Sequence, residues 1–232
     1  MLYDSGVKFL LSLGHGSHRQ GLYRLTLPQV KSLWRSDDPI GERNASETEI
    51  VRSPLLILPG LNNSGPQHWQ TLWQERKPDA LRLEPASWNA PELDDWMSAL
   101  DRVVEACATP PILVAHSMGC LLSVCWARQH RPDLSIAGAF LVAPPNFKRK
   151  EFPAPSFTQV PEFPLPYPAL VVASTNDPYC PIEAAEELAN KWRAGFVSVG
   201  PRGHISTEPG NGDWEGGWQL LEAFAAGLRV QV

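Results

Sequence analysis

From residue 54 onward the chain alternates two kinds of apolar pattern. The first is a short unbroken run, such as Leu55-Leu56-Ile57-Leu58, with no polar position in it. Such a run reads as a strand buried on both faces. The second is a longer stretch in which apolar residues return every three or four positions, as Leu93, Trp96, Met97, Leu100, Val103, Val104 and Cys107 do. That spacing lays an apolar stripe along one side of a helix. Taken in order, the pattern predicts strands at 55–58, 80–83, 112–116, 136–142, 169–174 and 196–199. Helices are expected near 67–77, 91–108, 118–131, 181–193 and 214–228, with Pro91 in a first turn, where its missing N–H costs little. Strands alternating with helices imply a three-layer α/β architecture: a mostly parallel sheet of about six strands with helices on both faces.

Two stretches break this rhythm. In residues 1–50, Val7–Leu13 and Leu22–Leu27 flank the turn-rich Gly14-His15-Gly16-Ser17-His18, where a hairpin is expected. Ser36–Arg52 is polar and without hydrophobic period, and reads as a linker or disordered segment. The chain therefore divides into an N-terminal appendage over 1–50 and a single α/β domain over 51–232. The second break is the segment 143–168, which carries eight of the chain's 23 prolines. Proline neither donates to a ladder nor continues a helix, so an irregular, stiff excursion is expected. It leaves the carboxyl edge of the sheet, where doubly wound folds bind ligands. Phe147, Phe152, Phe157, Phe163 and Tyr167 would either rim a site there or pack the loop down.

Composition removes several functional classes. The net charge of −5 argues against nucleic acid or an anionic membrane as partner, since both select a basic face. No apolar run approaches the ~20 residues of a membrane span. Cys107, Cys120, Cys125 and Cys180 form no C-x-x-C pair and read as small buried hydrophobes in a reducing, cytoplasmic setting. Phe9–Leu13 is short, follows Asp4 and lacks a small-residue cleavage site, so it does not read as an export signal. His15 and His18 stand without a cysteine or carboxylate cluster and read as solvated rather than metal-bound.

The chemistry centres on Ser117, between the strand at 112–116 and the helix that follows, with Ala115 two residues before and Gly119 two after. This is a G-x-S-x-G nucleophile elbow with alanine in the first glycine position. The chain must turn sharply there, and the flanking positions approach other backbone closely, so both must be small. A serine hydroxyl needs a base, and the base needs an orienting group. Of six histidines, His204 in Gly203-His204-Ile205 lies just after the last strand, where a base reaches the elbow. His116 should point away from Ser117 along the extended backbone, and His130 reads as a cation at a helix C-terminus. Asp177, just past the strand at 169–174, is the candidate acid; by itself it would read as an Asx-turn residue. Ser117, Asp177 and His204 follow three different strands in the chain order of α/β-hydrolases. Two backbone N–H groups would hold an oxyanion: that of Met118, and one from Pro59-Gly60-Leu61-Asn62, with Leu61 favoured and Asn62 the alternative. No G-K-[ST] follows this loop, so it is not a phosphate loop.

Pro59-Gly60-Leu61-Asn62-Asn63-Ser64-Gly65-Pro66-Gln67-His68-Trp69-Gln70 with Trp73, Ala115–Gly119, Asn176-Asp177-Pro178 with Pro181, and Gly203-His204-Ile205 together resemble a known family. It is that of the small serine hydrolases of the YdeN and retinoblastoma-binding-protein-nine type, and the likeness runs from about residue 53 to 230. The resemblance implies a compact α/β-hydrolase lacking the first two strands of the larger fold. It implies Ser117 as nucleophile, Asp177 as acid and His204 as base, with His68 and Trp69 near a substrate pocket, and neither metal nor cofactor. Ala115 departs from the glycine of many members, and residues 1–50 have no counterpart. The expected function is cleavage of a small-molecule carboxylic ester through an acyl-enzyme. A thioesterase or amidase with the same residues, or a binding protein on the same fold, stays open.

Overall fold

A computed structural model describes residues 51–129, 135–208 and 211–232. The expected N-terminal hairpin, His15, His18, the linker up to residue 50, and His130 with the end of the helix expected to reach Arg131 lie outside the described residues. The elements begin with β1 (Val51–Arg52), β2 (Leu55–Leu58), α1 (Trp69–Arg76), β3 (Leu81–Arg82), α2 (Leu93–Glu105), β4 (Ile112–His116) and α3 (Met118–Ala127). They continue with β5 (Gly138–Val142), β6 (Ala169–Ala173), α4 (Ile182–Trp192), β7 (Gly195–Ser198), α5 (Glu215–Gly227) and β8 (Val230–Gln231). Six strands form one sheet in the order β3-β2-β4-β5-β6-β7, and every pairing in it is parallel.

Each unbroken apolar run serves both faces at once, because successive side chains of a strand point to opposite sides. Leu56, Leu58, Leu113, Ala115, Leu141 and Val171 pack with α2, α3 and α4. Their neighbours Leu55, Ile57, Ile112, Val114, Phe140 and Val172 pack with α1 and α5. The expected three layers are therefore present, and the sheet is wholly rather than mostly parallel. β2 and β4 keep their expected bounds and β7 is shifted by one residue, while β3, β5, β6 and the helices are shorter than the sequence pattern by one to a few residues. At α2 the physical reason is visible: Glu92 has an extended backbone (φ −110°, ψ 129°) and so stands as the N-cap, which leaves Pro91 outside the helix, and the Leu93 N–H donates to Ser156 Oγ (3.2 Å).

The linker expectation over Ser36–Arg52 fails at its last two residues. Val51 and Arg52 form a parallel pair with Val230 and Gln231. The pairing partner is far along the chain, so no local pattern announces it.

The proline-rich segment is a wall. Phe157 and Tyr167 are buried in the core with Phe147, and the Tyr167 hydroxyl donates to Ser123 O (2.8 Å). Trp192 ties the segment from below, donating Nε1–H to Pro161 O (3.0 Å) and accepting at its own carbonyl from Leu165 N–H (3.0 Å). Of the five aromatics expected there, only Phe152 lines the cavity at the sheet's carboxyl edge.

Candidate active site

Ser117 joins β4 to α3 with φ 53° and ψ −122°, a backbone conformation that L-residues rarely adopt. The turn is held by its neighbours: Ser117 N–H donates to Val142 O (3.0 Å) and Ser117 O accepts from Cys120 N–H (2.9 Å). Small residues are required by direct contact. A Cβ on Gly119 would stand 2.2 Å from Leu58 O, and one on Gly60 would stand 2.8 Å from Ser117 Cβ. Ala115, fully buried within the core, meets the same demand with a methyl group.

His204 and Asp177 arrive from the loops after β7 and β6. His204 Nε2 lies 2.8 Å from Ser117 Oγ, and its Nδ1 lies 2.9 and 3.1 Å from the two Asp177 oxygens. The Asp177 side chain is nearly buried, and its Oδ1 also accepts from Tyr179 N–H (2.8 Å), the Asx-type turn expected for an aspartate at this place. The three residues singled out by chain order are thus brought together by hydrogen bonds. A carboxylate on Nδ1 keeps the proton there and leaves Nε2 free to accept one from the serine.

Leu61 and Met118 both line the cavity beside Ser117. Their N–H groups make no hydrogen bond among the described residues. Asn62, the alternative to Leu61, donates its N–H to Trp88 O (3.0 Å) and so is already engaged. The cavity measures about 670 Å³ and is also lined by Gly60, His68, Phe152, Tyr179 and Glu208.

His68 and Trp69 divide. His68 caps α1, its Nδ1 accepting from Gln70 N–H (3.2 Å), and its ring forms part of the cavity wall. Trp69 is fully buried and lies outside the cavity lining, which corrects its expected place in a substrate pocket. Its indole instead donates to Ile205 O (2.8 Å), next to His204. A tryptophan at this helix position faces the sheet, and its one donor reaches the loop above.

Three further residues serve the site without having been singled out. Gln70 is fully buried, donates to Leu58 O (3.1 Å) and Val114 O (3.0 Å), and accepts from Ser64 Oγ (2.6 Å). It ties the ends of β2 and β4 to the loop carrying Leu61. His116 does point away from Ser117, as expected, but its Nε2–H donates to His204 O (2.9 Å). Glu208 accepts from His204 N–H (2.9 Å) and Ser206 N–H (2.7 Å). Gln70 belongs to the P-G-x-x-x-S-G-P-x-H-W-Q block and could have been read from it; nothing local marks His116 or Glu208.

Burial sets the charge states around the site. It pushes His68 down to about 4 and His116 well below the ordinary imidazole range, so both are neutral near pH 7. The same effect raises the Cys120 thiol well above its usual value and Cys180 to about 12, which leaves both unreactive. Folding therefore loses stability on acidification: the unfolded chain takes up a proton on His68 near pH 6.5, which the folded chain resists until about pH 4. The contribution is full above pH 6.5 and falls by on the order of 3 kcal/mol as pH drops toward 4. Thermal unfolding midpoints from pH 7 to 4.5 should drop steeply in the wild type and less in His68→Gln.

Among the described residues, no group of three histidine, cysteine or carboxylate side chains converges as a metal site would, and no helix is long and apolar enough to cross a membrane. A parallel sheet whose β4 ends in a strained serine, met by side chains from the carboxyl ends of two later strands, is the α/β-hydrolase arrangement, and the molecule is an enzyme of that class. Within it, the chain belongs to the serine hydrolase family, whose model matches residues 55–223. It is similar to the crystal structure of a YdeN-like hydrolase from Pectobacterium atrosepticum, at 33% identity over 78% of this chain and 94% of that one, with a TM-score of 0.69. The ydeN gene product of B. subtilis aligns at 21% identity over 75% of this chain and 99% of that one, TM-score 0.62. A thermophilic esterase from Thermogutta terrifontis aligns at 16% identity over 78% and 92%, TM-score 0.58, a likeness of fold. No curated protein matches in sequence.

Proposed function

We propose that this hydrolase cleaves small carboxylic esters through an acyl-enzyme, with Ser117 as nucleophile, His204 as base and Asp177 as the group that orients it. The observation that carries the reading is the imidazole of His204 held between Ser117 Oγ (2.8 Å) and Asp177 Oδ2 (2.9 Å). His204 Nε2 takes the hydroxyl proton as Ser117 Oγ attacks the ester carbonyl. The oxyanion is received by the N–H groups of Leu61 and Met118, both free of other partners among the described residues. Collapse of the tetrahedral species breaks the bond to the alcohol oxygen, which leaves with the proton from His204. Water then attacks the acyl-enzyme by the same route, and releases the acid and the free serine. A cavity of about 670 Å³ suits a small acyl substrate.

The test uses a fluorophosphonate probe and a panel of p-nitrophenyl esters of increasing acyl length. The wild type is expected to label and to turn over the short esters; Ser117→Ala is expected to do neither. Equal labelling of both proteins, or no ester hydrolysed at any length by the wild type, would overturn the proposal.

A further inference from the structure

His204 is delivered by a loop that no ladder or helix holds. Gly203 and Ile205, on either side of it, have φ of +56° and +50°. Both backbone polar groups of His204 are instead held by side chains: the carbonyl by His116 Nε2–H and the N–H by Glu208 Oε1 (2.9 Å). The other carboxylate oxygen accepts from Ser206 N–H (2.7 Å), Ser206 O–H (3.0 Å) and Asn211 Nδ2–H (3.2 Å). The two backbone donors, two residues apart and aimed at one anion, form a small nest of a kind that selects negative charge. Gly203 fits this arrangement as well as its own φ, because a Cβ there would stand 2.7 Å from Glu208 Oε1.

We infer that Glu208 is the positioning residue for His204: its carboxylate, rather than any isosteric side chain, sets where the imidazole stands relative to Ser117. The inference rests on the reading of His204 as the base. Burial would raise the Glu208 carboxyl, but the N–H groups gathered on it outweigh burial and hold it below the ordinary carboxylate range, so it is ionised near neutral pH. The four donors require an acceptor at both oxygens, which only the carboxylate supplies.

Glutamine makes the test specific. Its single oxygen keeps three bonds if it takes the Oε2 position, and its NH₂ group then faces His204 N–H, donor against donor. Glu208→Gln thus keeps Ser206 and Asn211 tied while releasing His204. Small displacements of a reacting group cost up to roughly 100-fold in rate. We expect kcat on a short p-nitrophenyl ester to fall on the order of 10- to 100-fold in Glu208→Gln, with KM moving less than about threefold and the fluorophosphonate labelling rate falling alongside kcat. Ser206→Ala, which removes one donor from Oε2 and none from His204, should lower kcat much less.

Unchanged kcat and labelling in a folded Glu208→Gln protein would overturn the inference. So would loss of folding in that variant, because Glu208 would then serve the fold and not the base. Equal losses in Ser206→Ala and Glu208→Gln would overturn it too, by making the loop as a whole responsible. A wild type that neither labels nor turns over ester would instead sink the hydrolase reading on which the inference stands.

Discussion

Replacing Asp177 with asparagine is expected to lower kcat by roughly 10⁴-fold while leaving the fold nearly intact. The size of the effect follows from which proton is where. Asp177 Oδ1 accepts from Tyr179 N–H at 2.8 Å, so an asparagine keeps its oxygen on that side. Its NH₂ then stands in the Oδ2 position, 2.9 Å from His204 Nδ1. Facing a donor, Nδ1 must become the acceptor, and the ring proton moves to Nε2, against Ser117 Oγ. The imidazole is still present and still in place, but it can no longer take the serine proton. Steady-state kinetics on a short ester, beside circular dichroism and a thermal melt, separates this from unfolding. A kcat within tenfold of wild type would remove Asp177 from the proposed role.

The largest stability effect is expected from a single methyl group at Gly119. The residue is second in α3, and Cβ at that position would meet Leu58 O at 2.2 Å and both Leu58 C and Pro59 O at 2.9 Å. These are backbone atoms at the end of β2, so no side chain can rotate away. Overpacking of this kind costs about 3 kcal/mol or more, at or beyond the upper end of the usual range. For a domain of this size that lowers the melting temperature by roughly 6–12 °C. The displaced strand end leads directly into Gly60 and Leu61, so activity should fall as well. Gly216 supplies the contrast. It is also second in its helix, α5, but a Cβ there meets nothing within 4 Å. Gly216→Ala should therefore be neutral to stabilising by up to about 1 kcal/mol, since alanine loses less entropy in a helix. Calorimetry on the two variants gives opposite signs if close approach of backbone, rather than helix propensity, explains the glycine of the elbow.

Phe147, Phe157 and Tyr167 in the proline-rich segment are buried in the core, while Phe152 lines the cavity. Nothing along the chain marks which of these aromatics turns inward, and which way each faces depends on what the segment lands on. Trp69 makes the same point from the other side: it stands in the block that resembles the family's site, yet its side chain enters the core and only its indole N–H reaches the loop beside His204. The pairing of Val51 with Val230 joins residues at opposite ends of the domain, and a polar linker reading could not contain it.

What the sequence determined by itself is the layered α/β sheet, the serine between its third predicted strand and the next helix, and the histidine and aspartate that the structure links to it by hydrogen bonds. These were legible because periodicity records burial, and because side chains at the carboxyl ends of parallel strands must converge on one edge. Only the tertiary structure decided which loop amide is free, since Asn62 is engaged by Trp88 and Leu61 is not. It alone brought Gln70, His116 and Glu208 into hydrogen bonds with the strand ends and the loop around Ser117 and His204. His116 meets His204 across 88 residues and Trp69 meets Ile205 across 136, so these bonds exist only once the sheet has brought the loops together. The strain at Ser117 and Ile205 belongs to the same level, because a positive φ in a residue with a side chain persists only where packing from several elements over-determines it.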